Sequence, residues 1–160
     1  MVINMNKKLT GVIFFSLIML VIDQAIKIYL SETMVFNQTA VLVKDFLNIT
    51  LVKNTGAAFS ILSDNTLLLI GIGVLATIGI IIYVGKMVEL NDLDVFTYSL
   101  LLGGVLGNLV DRIFRGYVVD YISLNIFGYH FPIFNFADIC IVGSVILIFI
   151  SMVKGDLWKE

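Results

Sequence analysis

Four long apolar stretches set what this chain can fold into. They run from Leu9 to about Leu30, Thr66 to Val84, Val95 to Val110, and about Phe136 to Val153. A helix needs about 20 mostly apolar residues to cross the roughly 30 Å hydrocarbon core, and each stretch comes close to that length. The first is interrupted by Asp23, Gln24 and Lys27, the second carries no charge, and the fourth has Asp138 near its start. The shorter ones are expected to tilt or to end in the interface. Composition agrees with this reading. Of the 160 residues, 59% are hydrophobic and 14% charged, against about 45–50% and about 25% in soluble domains. A soluble globule could not cover that apolar surface, and disorder needs the opposite composition.

Four crossings put both termini on one side. Lys7 and Lys8 before the first stretch resemble the n-region of a signal peptide, but no small-x-small cleavage site follows, so an uncleaved first helix is expected. Lys7, Lys8, Lys86, Lys154 and Lys159 fall on the terminal side, and Lys44, Lys53 and Arg115 in the opposite loops. This distribution favours cytoplasmic termini. Trp158 fits an interfacial anchor. Between the first two helices, Phe46 to Lys53 mixes strand formers with polar residues, and Val41 to Val43 is a further short apolar stretch. A small sheet or hairpin is expected there. The loop Arg115 to Asn135 reads as short strands and turns around Gly128 and Pro132, while the loop on the terminal side is short and acidic, with Glu89, Asp92 and Asp94. The expected architecture is a mainly α membrane protein: four transmembrane helices with a small extracytoplasmic β-sheet, in one domain over residues 1–160.

Several chemistries are excluded at once. A net charge of −2 gives no electrostatic footprint for nucleic acid. The single cysteine, Cys140, rules out an internal disulfide and a cysteine-based metal cluster, and the single histidine, His130, rules out HExxH chemistry. A serine–lysine mechanism would need a serine partner for Lys27, and none is legible. Carboxylates are the reactive type in surplus.

Ionisable residues at membrane depth are the informative ones. At 1.5 Å per residue, Asp23, Asp111 and Asp138 each lie roughly 21–24 Å from the terminal side along their helices. All three therefore share one level, near the far interface. Each also has a simpler reading. Asp23 could pair with Lys27 at i,i+4, Asp111 could neutralise Arg112 or Arg115, and Asp138 could serve only the start of a helix capped by Asn135. Asp120 could be an ordinary loop carboxylate. Gly103 and Gly107 have the spacing of close helix contacts. Asn108, on one face with Gly104 and Asp111, needs hydrogen-bond partners at membrane depth. Asn54 opens a run of small residues that reads as a tight turn or as a contact to a peptide substrate. Two close carboxylates in a low-dielectric site cannot both ionise freely, so the pair supplies an acid and a base. Level alone favours Asp111 as a member of that pair.

Five stretches follow one another along the chain: Asp23-Gln-Ala-Ile-Lys27, Asn54-Thr-Gly-Ala-Ala-Phe-Ser60, Gly103-Gly-Val-Leu-Gly-Asn-Leu-Val-Asp-Arg112, Gly116-Tyr-Val-Val-Asp-Tyr121 and Phe134-Asn-Phe-Ala-Asp138. In this order they resemble the motifs of the bacterial lipoprotein signal peptidases, the signal peptidase II family. The resemblance implies an aspartic membrane peptidase with no metal or organic cofactor. Its partners would be diacylglyceryl-modified prolipoproteins, cut just before the lipidated cysteine, and membrane lipid. The catalytic pair it implies is Asp120 and Asp138, in place of Asp111. Asp23, Asn54, Asn108, Arg112 and Asn135 match positions that line or support the site. Tyr121 stands where the family usually has Phe, and Phe59 where Trp is also common. The rival reading is a small proton- or cation-coupled transporter, since acids within membrane helices also mark ion pathways. The shared level of the acids and the uncharged second helix count against it.

Overall fold

The computed structural model describes residues 2–56, 65–87 and 90–154. In chain order the elements are α1 (Val2–Thr33), β1 (Thr39–Val43), β2 (Leu47–Asn54), α2 (Thr66–Lys86), α3 (Asp92–Arg115), β3 (Val118–Ile126), β4 (Tyr129–His130) and α4 (Phe136–Val153). All four helices are long and apolar enough to cross a membrane. The strands form one antiparallel sheet in the order β1-β2-β3-β4. It is built from the two connections at the end of the bundle opposite the termini. The mainly helical membrane fold with a small sheet is thus observed as expected.

Both ends of α3 lie beyond the hydropathy reading for the same reason. Helix α3 starts at Asp92 rather than Val95, so Asp92 and Asp94 belong to its first turn and not to a loop. The Asn91 side chain accepts from the Asp94 backbone N–H, and the Asp94 carboxylate accepts from that of Asn91. This capping box satisfies two otherwise orphaned donors. At its other end α3 runs on to Arg115, where Gly116 stops it with φ 79°, the left-handed conformation that glycine adopts without penalty. Hydropathy sees neither cap. Glu89, Trp158, Lys159 and positions 57–60 of the Asn54 motif lie outside the described residues.

Helix α3 is central and packs against α1, α2 and α4. Over half of its membrane-length window is buried, against 11% for α2, which therefore turns most of its surface to lipid. The glycines of α3 face different neighbours. A Cβ on Gly103 would lie 2.6 Å from the Met19 Cβ of α1, and one on Gly104 would lie 2.5 Å from the Ala137 carbonyl of α4. One on Gly107 would strike the Asp23 carboxylate at 2.6 Å. Backbone proximity here depends on the missing side chains.

The sheet rests on the end of α1. Leu51, Val119 and Tyr121 form a buried cluster against Ile26, Leu30 and Met34. Strand alternation sends Val118, Asp120 and Leu124 to the opposite face, where they line a cleft. β1 is exposed along its whole length.

Candidate active site

Two elements deliver the carboxylates. Asp120 sits on β3, and Asp138 in the first turn of α4. The chain entering α4 is stitched to β3: the Tyr121 and Ile122 N–H groups donate to the Phe134 carbonyl, and the Phe134 N–H donates to the Ile122 carbonyl. That pairing places Asn135 beside Asp120. Tyr121 adds a further tie, its hydroxyl accepting from the Phe136 N–H at 3.1 Å. Without that hydroxyl, this first-turn donor of α4 has no protein acceptor among the described contacts.

Asn135 joins the two acids. Its side-chain amide donates to Asp120 Oδ1 at 2.6 Å, and its carbonyl oxygen accepts from the Asp138 N–H at 3.0 Å. The Asn135 N–H in turn donates to Asp138 Oδ2 at 3.1 Å. Asn54 donates to Asp120 Oδ2 at 2.8 Å, and Asn108 to Asp138 Oδ1 at 2.8 Å. Each carboxylate thus accepts a bond at both oxygens, and three asparagines orient the pair. Arg112 holds the approach loop: it donates to the Gly56 carbonyl at 2.9 Å, while the Gly56 N–H donates to Asn54 Oδ1 at 2.9 Å.

Asn54, Asn108, Arg112, Asp120 and Asp138 all line one cleft of about 1010 Å³. Its far wall is apolar and runs along α4 through Ile139, Val142 and Ile146. Asp120 is 2% exposed. Burial, followed by the charge of Asp138, pushes its carboxyl up to about 6, against the opposing pull of the bonds from Asn54 and Asn135. A carboxyl whose proton affinity lies this much closer to neutrality is suited to proton transfer.

Asp23 and Asp111 are placed differently. Neither lines the cleft. Asp23 Oδ1 accepts from the Ala137 N–H at 3.1 Å, and Asp111 Oδ2 from the Val119 N–H at 3.1 Å. Both form ion pairs with Lys27, and Asp111 also with Arg115. Asp111, favoured by level alone, is therefore held in a buried ionic cluster behind the cleft. Lys27 and Gln24 were legible only as neighbours of Asp23. Their contacts to Asp111, Gly107 and Asn108 come from another helix.

Residues 15–154 match the family model for signal peptidase (SPase) II. The chain belongs to the signal peptidase II family. It is similar to the lipoprotein signal peptidases of Staphylococcus aureus strains JH9 and Newman, at 39% identity over 92% of this chain and 91% of theirs. Among solved structures it resembles a bacterial membrane enzyme determined in meso at 2.3 Å, with TM-score 0.85 and 37% identity, covering 93% of this chain and 91% of that one. A second such structure, at 1.9 Å, matches with TM-score 0.81 and 38% identity over 89% and 92%. Membership makes the chain a multi-pass membrane protease.

Proposed function

We propose that this chain is an aspartic endopeptidase of the membrane that removes signal peptides from diacylglyceryl-modified prolipoproteins, cutting just before the lipidated cysteine. The observation that carries the reading is the convergence of Asp120 and Asp138 on one cleft, joined through Asn135. Asp120 holds the shared proton and Asp138 is the base. Asp138 takes a proton from water, which attacks the scissile carbonyl. Asp120 donates a hydrogen bond to that oxygen, and a proton then passes to the leaving amine. No acyl-enzyme forms. Arg112 and Asn54 hold the loop beside the scissile bond, and the apolar wall along α4 lets the acyl chains remain in contact with lipid. The termini are cytoplasmic and the sheet extracytoplasmic, consistent with Lys7, Lys8, Lys86 and Lys154 at the terminal end.

The test is cleavage by the purified protein in lipid. A diacylglyceryl-modified prolipoprotein is expected to be cut once, before the modified cysteine, and its non-lipidated form left intact. Equal cleavage of both forms, or of neither, would overturn the reading.

The pH dependence follows from the same pair. The reaction needs protonated Asp120, so kcat/KM falls as pH rises through an apparent value of about 6. Asn54 bonds the ionised form and pulls that value down. Asn54→Ala is therefore expected to move the alkaline limb to higher pH. A limb that stays put, or moves lower, would remove Asp120 as the proton holder.

A further inference from the structure

Lys27 is fully buried, yet it does not line the cleft. Its ammonium has three hydrogens, matched by three acceptors: Asp23 Oδ2 at 2.8 Å, Asp111 Oδ2 at 2.9 Å and Asn108 Oδ1 at 3.1 Å. With every hydrogen committed, it is no nucleophile or general base in this state. Its partners share another property. Asp23 holds the N–H of Ala137, the residue before Asp138. Asp111 holds the N–H of Val119, the residue before Asp120. Asn108, whose carbonyl oxygen faces Lys27, donates from its amide nitrogen to Asp138 itself. A local i,i+4 pair with Asp23 would need neither Asp111 nor Asn108, both of which belong to α3.

We infer that Lys27 is the positioning residue of the carboxylate pair: one buried ammonium fixes the approach of β3 and α4, so that Asp120 and Asp138 meet across the cleft. The inference rests on the peptidase reading above. The three arms run through different atoms. Two carboxylates grip the backbone one residue ahead of each acid. The third arm, together with the Asn135 side-chain amide that donates to the same oxygen at 3.2 Å, keeps the Asn108 amide turned with its nitrogen towards Asp138.

Lys27→Met tests it. The purified variant would be assayed in lipid for kcat and KM on lipidated prolipoprotein, and for the Kd of a non-cleavable lipidated peptide. Misplacing reacting groups by about 1 Å can cost roughly 100-fold. The expected result is a loss of that order in kcat, with KM and Kd within about threefold of wild type. Removing the cation also leaves a buried carboxylate uncompensated, so Lys27→Met/Asp23→Asn is run beside it. That pair removes one charge of each sign and keeps an oxygen for the Ala137 N–H. It is expected to fold and to show the same selective loss of kcat. Wild-type kcat in either folded variant overturns the inference. So does a matching loss in kcat and binding, which would mean collapse of the whole site. Failure of both variants to fold makes Lys27 a folding element and likewise overturns it. Failure of wild type to cleave lipidated substrate is a different result: it brings down the peptidase reading, and the role of Lys27 with it.

Discussion

Asp120→Asn and Asp138→Asn are each expected to lower kcat by about 1,000-fold or more, some 4 kcal/mol of transition-state stabilisation. The substitution keeps the size of the side chain and removes its acid–base function. It also has a structural cost. Asp120 accepts from Asn54 and Asn135, and Asp138 from Asn108 and the Asn135 N–H. An asparagine in either place turns one acceptor into a donor that faces another donor, worth about 1–3 kcal/mol of stability. Activity must therefore be read beside thermal unfolding of the same preparation in lipid. Loss of cleavage in a folded variant supports the pair. An Asp120→Asn enzyme with wild-type kcat would leave family membership standing and sink the assignment of the catalytic residues. Asp111 would then be tested next.

The second large effect is steric. Gly104→Ala would place a methyl group 2.5 Å from the Ala137 carbonyl and 2.8 Å from Ile141 Cγ1. A carbonyl in the first turn of α4 has no rotamer to escape into, so the helices must separate. Overpacking of this kind costs about 1–3 kcal/mol, occasionally more. The displaced backbone adjoins Asp138, so cleavage is expected to fall by about tenfold or more through misplacement. Gly107→Ala meets the Asp23 carboxylate at 2.6 Å and is expected to do the same. Gly71→Ala and Gly79→Ala, both on α2 with nothing within 4 Å of the new methyl, should leave stability within about 1 kcal/mol of wild type. Unfolding midpoints and cleavage rates of the four variants decide the matter. A Gly104→Ala protein as stable and active as Gly71→Ala would show that the packing of α3 on α4 tolerates a wider separation than the glycine contacts imply.

Legibility followed sequence distance. The four crossings could be read because hydropathy is a property of contiguous residues, and α4 was delimited at Phe136 and Val153 without the structure. Strand character between Phe46 and Lys53 was equally local. The pairing of β2 with β3 was not, because it joins Val52 to Asp120 across the whole of α2 and α3. Level along the helices correctly grouped Asp23, Asp111 and Asp138, but depth says nothing about the direction a side chain faces. Asp111 turns towards Lys27 and Arg115, whereas Asp120 reaches the cleft from a strand. Only the family motifs pointed to Asp120. The i,i+4 pairing of Asp23 with Lys27 was legible and is present. Two of the three contacts of that lysine lie on α3, beyond any reading by spacing.

Asp138 has two employments at once. It is the third helical residue of α4 and closes a capping box, its carboxylate oxygen holding the Asn135 N–H, and in the proposed reaction it is also the base. A carboxylate that takes a proton becomes a poorer acceptor, so in the proposed reaction the N-terminal cap of α4 would loosen when water is activated and tighten again when the proton leaves. Chemistry and the pitch of one helix end would then rise and fall together in every turnover. A substitution here that can cap but not titrate would then keep the scaffold and lose the proposed reaction, and one that titrates from a longer arm would move the proposed base away from the bond it must serve.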